Sequence, residues 1–319
     1  MSTATNTTPV PATHRSVSFE NVLCATDFSD ASTKALAYAA GIVRTCSGNL
    51  SIIHVLPPDA PPAIPLEPWP AELDRERTEA ISKMEALGKA EFLTGLAHAD
   101  IVERGPMREV IADVIGRKKI DLLVLGTHGR GGLNKFLLGS IAEELFRFAT
   151  CPVLTVGKRV AQPPKSGIGI RTILFPTDFG DASIAALPYA LELAAKKGRQ
   201  LTLLHVITPK PVPPHPSWDG VVTLSEKRQI ETLEATRRLR DLVPAGEADQ
   251  PKVECMVLFG SAEQTILDAV TRCRPDLVVM GLRPLPEPRA AAHLYWSTAH
   301  YLVCRALCPI LTIRHGKSS

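Results

Sequence analysis

The feature that most constrains the fold is an internal repeat. Four segments of the first half of the chain return in the same order in the second half. The longest, NVLCATDFSDAS at 21–32, returns as TILFPTDFGDAS at 172–183, and a His-Val ending at residue 55 returns as a His-Val ending at residue 206. Ordered matches of this kind predict a duplicated domain, so both copies should share one fold.

The repeat also sets the domain boundaries. We place the first domain at residues 18–157 and the second at 170–315, joined by a linker at 158–169 that is polar and contains Pro and Gly. Residues 1–17 are polar and are expected to be disordered.

Within each copy, short runs of Val, Ile and Leu alternate with longer segments of helical period, which is typical of a parallel sheet with crossover helices. In the first copy we predict strands near 20–26, 50–56, 100–104, 121–126 and 152–156, and helices near 31–46, 71–97, 106–118 and 140–149. In the second copy we predict strands near 172–177, 200–207, 252–258, 276–281 and 309–313. Several strands are apolar at nearly every position, as expected when both faces of a sheet are covered. The predicted fold is α/β, with two tandem doubly wound parallel five-stranded sheets of strand order 3-2-1-4-5.

Composition disfavours several classes of function. The formal net charge is only +3 and the basic residues are scattered, which argues against a nucleic-acid partner. No apolar run is long enough to span a membrane, and the N-terminal residues lack the apolar segment of a secretory signal, so we expect a cytoplasmic protein. The seven cysteines show no CxxC spacing, which favours reduced thiols over a metal site.

Two residues mark a candidate binding crevice in the first copy. Strand one ends at Asp27 and strand four ends at Gly126. In the order 3-2-1-4-5 these strands are neighbours, and ligands of such sheets bind where the strand order reverses. Asp27 has two other interpretations, as the N-cap of the helix beginning near Ala31 or as a solvated turn residue.

The loop after strand four has the composition of a phosphate-binding loop. It reads Gly126-Thr-His-Gly129, then nine residues, then Gly139-Ser140. Glycines let backbone N–H groups approach a phosphate closely, and a helix starting at Ser140 would present free N–H donors. Arg130 and Lys135 would screen phosphate charge. The alternative is purely structural, because Ser140 and Glu143 form a capping box and the glycines suit a flexible loop.

This long-spaced glycine motif, together with an Asp at the end of strand one, resembles the universal stress protein family in its tandem-domain form. The resemblance covers nearly the whole chain, once per copy. In the ATP-binding branch of that family the strand-one Asp meets the adenine. The resemblance therefore implies adenine contacts for Asp27 and for the backbone of Val55.

For the glycine loop the resemblance implies contacts with the rest of the nucleotide. Gly126 and Gly129 would contact ribose and phosphate. Gly139 and Ser140 would contact the phosphates. The implied cofactor is ATP, with Mg²⁺ held by the phosphates.

The second copy departs from this pattern. Gly281 is followed by Leu-Arg-Pro284, so the second glycine is missing. Aligning the segments that precede the last strand places Trp296 against Gly139, while Ser297 still matches Ser140. A Trp side chain at that point would block the close backbone approach, so we predict one competent site, in the first copy. Arg283 and Arg289 leave some anion affinity open for the second copy.

The leading hypothesis for function is an ATP-binding regulatory module of the stress-response type, with an adenine nucleotide as its ligand. The alternative is an interaction scaffold whose pockets are vestigial in both copies. No nucleophile–base pair or carboxylate cluster with hydrolytic spacing stands out, so we expect a non-enzymatic protein, with slow ATPase activity left open.

The last strand of each copy would lie at a sheet edge. Both versions, at 153–156 and 310–313, are short and uncharged, which is a liability for an unpaired edge. We expect the copies to pair through these strands, within one chain or in a homodimer. The resemblance implies the same, since single-domain universal stress proteins dimerise through the corresponding strand.

Overall fold

Strands and helices alternate along both copies of the repeat. The computed structural model describes residues 19–58, 69–127, 140–163, 169–195, 198–209, 224–243, 251–283 and 297–314. The elements of the first copy are β1 Asn21–Ala25, α1 Asp30–Cys46, β2 Asn49–Leu56, α2 Trp69–Gly88, β3 His98–Arg104, α3 Met107–Arg117, β4 Leu122–Gly126, α4 Ser140–Phe148 and β5 Val153–Val156. The elements of the second copy are β6 Thr172–Pro176, α5 Asp181–Ala195, β7 Gln200–Ile207, α6 Leu224–Asp241, β8 Lys252–Phe259, α7 Ala262–Cys273, β9 Leu277–Leu282, α8 Ser297–Arg305 and β10 Ile310–Arg314.

The strands form a single sheet with the order β3-β2-β1-β4-β5-β10-β9-β6-β7-β8. Within each copy the strands are parallel and follow the order 3-2-1-4-5, which confirms the predicted fold class. β5 and β10, the two edge strands expected to pair, join the two five-stranded sheets into one ten-stranded sheet.

Both faces of the sheet are covered, which explains why its strands are apolar at successive positions. In β1, Val22 and Cys24 point into one buried cluster and Leu23 points into the other. Helices α1 and α5 contribute to the first cluster, while α3, α4, α7 and α8 contribute to the second. Each cluster contains residues of both copies, so the two copies share their cores.

The helix predicted at 71–97 is shorter than its sequence period indicated. It ends at Gly88, where the N–H groups of Lys89 and Ala90 bond three residues back, and a 3₁₀ turn follows at Glu91–Leu93. Leu93 is buried in the cluster under α1. The helical spacing of apolar residues therefore continues beyond the end of α2, because Leu93 reaches the core from a 3₁₀ turn.

A repeated aspartate fixes the start of the central strands. The Asp121 carboxylate accepts a hydrogen bond from the Glu20 N–H at 2.8 Å, and the Asp276 carboxylate accepts one from the Arg171 N–H at 2.8 Å. Each aspartate comes directly before a fourth strand and holds the beginning of the first strand beside it. This structural role explains why the residue occurs in both copies.

The start of the linker lies against α1. Lys34 Nζ donates to the Val160 carbonyl at 2.6 Å, and the Tyr38 hydroxyl donates to the Ala161 carbonyl at 3.2 Å. The N-terminal segment predicted to be disordered lies outside the described residues. Of the helices in the part of the chain that the structure describes, none is long and apolar enough to cross a membrane.

The two copies meet where β5 and β10 pair in antiparallel register, with Leu154 opposite Leu311. Both leucines are buried, at 3% and 1% exposure. A threonine hydroxyl of each strand also donates a hydrogen bond to a backbone carbonyl of the other. Thr155 Oγ1 donates to the Ile310 carbonyl at 3.2 Å, and Thr312 Oγ1 donates to the Val153 carbonyl at 3.1 Å. The two edges are thus paired with each other inside one chain.

We expect Leu154→Lys or Leu311→Lys to separate the two copies. Either change places an unpaired ammonium in the buried seam, where a charge without a partner costs several kcal/mol, about 3 to 5. Small-angle X-ray scattering should show a larger radius of gyration for both variants.

The matched control is Ile81→Lys, which adds the same charge at a position of α2 that is 41% exposed. This variant should scatter like the wild type. A radius of gyration and a thermal stability that stay unchanged in both seam variants would contradict the role we give to the seam.

Candidate functional site

The crevice lies where the strand order reverses. β1 pairs with β2 on one side and with β4 on the other, and the chain reaches β4 only after crossing back from β3. Asp27 follows β1, and Gly126 is the last residue of β4. The structure therefore brings these two predicted residues to the carboxyl ends of adjacent strands, the place where open α/β sheets bind ligands.

A strained turn leads out of β1. Thr26 Oγ1 accepts a hydrogen bond from the Phe28 N–H at 3.0 Å and lies 3.1 Å from Ser32 Oγ. Phe28 has a φ of 62°, a left-handed conformation that costs a non-glycine residue roughly 1 kcal/mol. The buried Thr26 and Ser32 hydroxyls hold this turn in place.

The second copy has the same turn. Thr177 Oγ1 accepts from the Phe179 N–H at 2.9 Å and lies 2.9 Å from Ser183 Oγ, and Phe179 has a φ of 59°. A turn that is kept in both copies is part of the fold, whatever each copy binds.

Asp27 supports the beginning of α1 without capping it. Its Oδ1 accepts hydrogen bonds from the Ser29 N–H at 3.0 Å and the Ser29 hydroxyl at 2.6 Å. The N-cap of α1 is Ser29, whose side chain accepts from the Ser32 N–H at 3.3 Å. The interpretation of Asp27 as the N-cap is therefore wrong, because a neighbouring hydroxyl satisfies the helix donors and Asp27 positions that hydroxyl.

The close packing of α1 against β4 is enough to require a glycine at position 126. A Cβ atom at this position would lie 2.7 Å from the backbone of Ala31, at the start of α1. In the second copy a Cβ on Gly281 would lie 1.9 Å from the Ala182 carbonyl oxygen. Glycine at the end of the fourth strand therefore lets the first helix pass close by in both copies.

Val55 lies on the part of β2 that borders the crevice. The last residue of β2 that pairs with β1 is Ile53, and β2 continues for three more residues to Leu56. The preceding residue is held in place: His54 Nδ1 lies 2.8 Å from the Thr26 carbonyl oxygen, and its ring lies 4.5 Å from that of Phe28. His54 is therefore a packed, hydrogen-bonded histidine of the fold.

The glycine loop itself is only partly described. α4 begins at Ser140, so the backbone places a helix N-terminus there, with N–H groups that have no partner within the helix. Gly129, Arg130 and Gly139 lie outside the described residues. The choice between a phosphate-binding loop and a capping box therefore stays a prediction.

The second copy has an ion pair at the corresponding crevice. Asp178 pairs with Arg283, the residue directly after β9, and Asp178 Oδ1 also accepts from the Gly180 N–H at 2.9 Å and the Ser183 hydroxyl at 3.0 Å. Burial raises the pKa of Asp178, but the Gly180 N–H, the Arg283 guanidinium and the Ser183 hydroxyl together lower it below its ordinary value. Trp296 and Pro284 lie outside the described residues.

This ion pair was not predicted from the sequence, in which Arg283 figured only as a source of residual anion affinity. The sequence feature that could have indicated the pair was Arg283, two residues after Gly281 near the end of the fourth strand. In the part of the chain that the structure describes, no group of three His, Cys, Asp or Glu residues could hold a metal ion.

We expect Gly281→Ala to destabilise the protein at least as much as Gly126→Ala. The added methyl meets backbone atoms in both cases and cannot be relieved by rotating a side chain, so each change should cost about 1 to 3 kcal/mol. Urea denaturation would measure both losses.

The control is Gly116→Ala in α3, where nothing lies within 4 Å of the new methyl. Replacing a helical glycine in open space should stabilise the protein by about 0.4 to 1 kcal/mol. A neutral Gly281→Ala variant would show that the first helix does not need this close approach.

Comparison with known proteins agrees with the geometry. The sequence profile described as the Universal stress protein family matches residues 18–157 and 169–314. A universal stress protein of Methanocaldococcus jannaschii is 34% identical over 149 residues, which is 44% of this chain and 83% of that protein. A universal stress protein of Thermus aquaticus is 32% identical over 140 residues, 43% of this chain and 98% of that protein.

Solved structures match at the level of the whole chain. A universal stress protein from Archaeoglobus fulgidus has a TM-score of 0.61 at 20% identity, covering 93% of this chain and 98% of its own. At this identity the likeness shows the fold alone, over nearly the whole length of both chains. Because the family profile matches both copies and nearly all of the sequence, the chain belongs to the universal stress protein family.

Proposed function

We propose that the first copy binds ATP, with Mg²⁺ held by the phosphates, and that the protein is a regulatory nucleotide-binding module. The observation that carries this proposal is the position of the two residues between which the glycine loop runs. Gly126 is the last residue of β4, at the switch point of the sheet, and Ser140 is the first residue of α4. A phosphate chain in this loop would meet the N-terminus of a helix, where N–H donors and the helix dipole favour negative charge.

The nucleotide would lie across the crevice with each part facing a different element. Gly126 and Gly129 would approach the ribose and phosphates, and the backbone of Gly139 and Ser140 would bind the phosphates. Arg130 would balance part of their charge. The adenine would lie toward β1 and β2, near Asp27 and the backbone of Val55.

Asp27 suits adenine because a carboxylate only accepts hydrogen bonds. Adenine presents an amino group, a donor, where guanine presents a carbonyl oxygen, an acceptor. Ser29 donates to one carboxylate oxygen from two groups, which fixes the orientation of the other. A fixed acceptor near the base would favour ATP over GTP.

The second copy supports the proposal by contrast in the sequence of its loop. Its sequence lacks the second glycine and has Trp296 where the first copy has Gly139. We therefore assign nucleotide binding to the first copy and leave the second copy without this function.

We expect Gly139→Trp to abolish ATP binding, because the indole would occupy the space through which backbone N–H groups reach the phosphates. Isothermal titration calorimetry with Mg²⁺ and ATP measures the affinity of both forms. The control, Gly169→Trp, adds the same ring at an exposed position with nothing within 4 Å and should bind ATP like the wild type.

Equal ATP affinity in wild type and Gly139→Trp would show that this loop does not hold the phosphates. If the wild type binds no ATP and purifies without an adenine nucleotide, the interaction-scaffold hypothesis replaces the proposal.

We expect Asp27→Ala to reduce discrimination between ATP and GTP by about tenfold or more, since a hydrogen bond to a charged group contributes roughly 1.5 to 3 kcal/mol. Affinity for the triphosphate itself should fall less. Competition titrations with both nucleotides measure this ratio, and Asp178→Ala in the second copy is the control that should leave it unchanged. A wild type that does not discriminate between the two nucleotides would refute the role of Asp27.

A further inference from the structure

We propose that the protein forms a symmetric dimer through the outward face of α6, so that the partner is a second molecule of this chain. Two apolar side chains of this helix, Ile230 and Leu233, are 58% and 65% exposed. Among the described residues these are the most exposed of the large apolar side chains. Exposed apolar residues that occur singly are normal on a surface, whereas neighbours on one helix face indicate a contact with another molecule.

The exposed pair lies on the opposite side of α6 from its buried residues. Ala235 and Leu239 are buried, and the helix contacts β7 and β8. At about 100° per residue, Leu233 lies roughly 200° from Ala235, and Ile230 lies roughly 180° from Leu239. The two apolar side chains therefore face away from the sheet and add nothing to the core.

The same face carries a charge of opposite sign at each end. Four residues are spaced by four, three and four positions, as in the contact face of paired helices; they form the α6 stripe: Glu226, Ile230, Leu233 and Arg237. Both charged residues of the stripe are exposed. Arg237 Nε lies 4.0 Å from Asp241 Oδ2, a contact between two exposed side chains that contributes little. The stripe is therefore apolar at its centre, negative at its N-terminal end and positive at its C-terminal end.

This pattern is complementary to itself when two α6 helices run antiparallel. Ile230 of one molecule then faces Leu233 of the other, and Glu226 faces Arg237. Parallel helices would place like charges opposite each other at both ends of the stripe, which is unfavourable. Charge therefore selects an antiparallel contact about a two-fold axis, in which both molecules use the same surface.

The residues beside the stripe agree with this arrangement. Antiparallel helices bring Lys227 of one molecule beside Glu234 of the other, so opposite charges also meet along the flank. Arg238 is held back against its own molecule, because its guanidinium carbon lies 3.9 Å from the centroid of the Phe179 ring. The stripe is thus left accessible to a second helix.

The corresponding helix of the first copy lacks the stripe. α2 and α6 align through their buried residues, with Met84 at the position of Leu239. This alignment places Arg75 and Thr78, both exposed, where α6 has its two apolar residues. Since α2 contacts β3 and α6 contacts β8, the two helices lie at opposite ends of the sheet. Only one end is apolar, so the association stops at a dimer and does not continue into a filament.

The contact is small, which sets the expected affinity. One helix from each molecule buries less than the roughly 1,200 Å² of a stable complex, so we expect a Kd of about 10 to 100 µM. Sedimentation velocity of the full chain without nucleotide, at protein concentrations on both sides of this range, should show a shift from monomer to dimer.

Substitutions at the centre of the stripe test its role. Ile230→Lys and Leu233→Lys should each raise the Kd at least about tenfold, because each change occurs twice in the dimer and removes apolar contact both times. Both positions are exposed, so the variants should fold, and thermal unfolding checks this. The matched control is Ile81→Lys, the same change at an exposed isoleucine of α2, which should dimerise like the wild type.

Charge exchange tests the direction of the helices. Glu226→Arg makes both ends of the stripe positive and Arg237→Glu makes both ends negative, so neither variant should associate with itself. An equimolar mixture of the two should form a dimer with about the affinity of the wild type, because each positive end then faces a negative one. A mixture that binds much more tightly than the wild type would show that the helices run parallel.

Three further results would overturn the proposal. The wild type could stay a monomer at every concentration measured, as it would if the rest of the chain covered the stripe or a different molecule bound there. Ile230→Lys could dimerise like the wild type, which would place the contact elsewhere. The mixture of charge variants could associate no better than either variant alone. None of these results depends on whether the first copy binds ATP.

Discussion

The pairing of β5 with β10 is the constraint on which the rest of the structure depends. Each strand alone would be a short, uncharged sheet edge, open to pairing with other chains. Here each edge satisfies the other, and the reciprocal bonds of Thr155 and Thr312 fix the register. Because the register is fixed, the two copies share their cores on both faces of the sheet.

The antiparallel direction of this pairing also sets where each crevice opens. All strands of one copy run opposite to those of the other, so the carboxyl ends of the two sets lie at opposite edges of the sheet. The chain leaving each seam strand meets the last helix of the other copy: Arg314 donates to the Phe146 carbonyl at 3.0 Å, and Arg159 to the Arg305 carbonyl at 3.2 Å. The helix that begins at Ser140 therefore ends against a residue of the second copy.

Strand positions could be predicted because buried parallel strands leave uninterrupted apolar runs, and the repeat tested each assignment twice. The strand order was taken from the doubly wound fold class and does not follow from these runs. The end of α2 could not be predicted, because Phe92 and Leu93 continue the helical spacing of apolar residues from within a turn. The sequence left the N-cap of α1 open because Asp27 and Ser29 are both good capping residues and spacing alone does not choose between them. The pairing of Asp178 with Arg283 joins residues 105 positions apart, which no local pattern reports.

The duplication separates what the fold requires from what a ligand would require. The turn at Phe28, the histidine at position 54 and the glycine at the end of β4 all recur in the second copy with the same contacts. Their presence in the first copy is therefore explained by folding and is no argument for nucleotide binding. What differs between the copies in sequence is the loop after the fourth strand. Since the shared framework is constant, a difference in ligand between the two crevices has to originate in this loop.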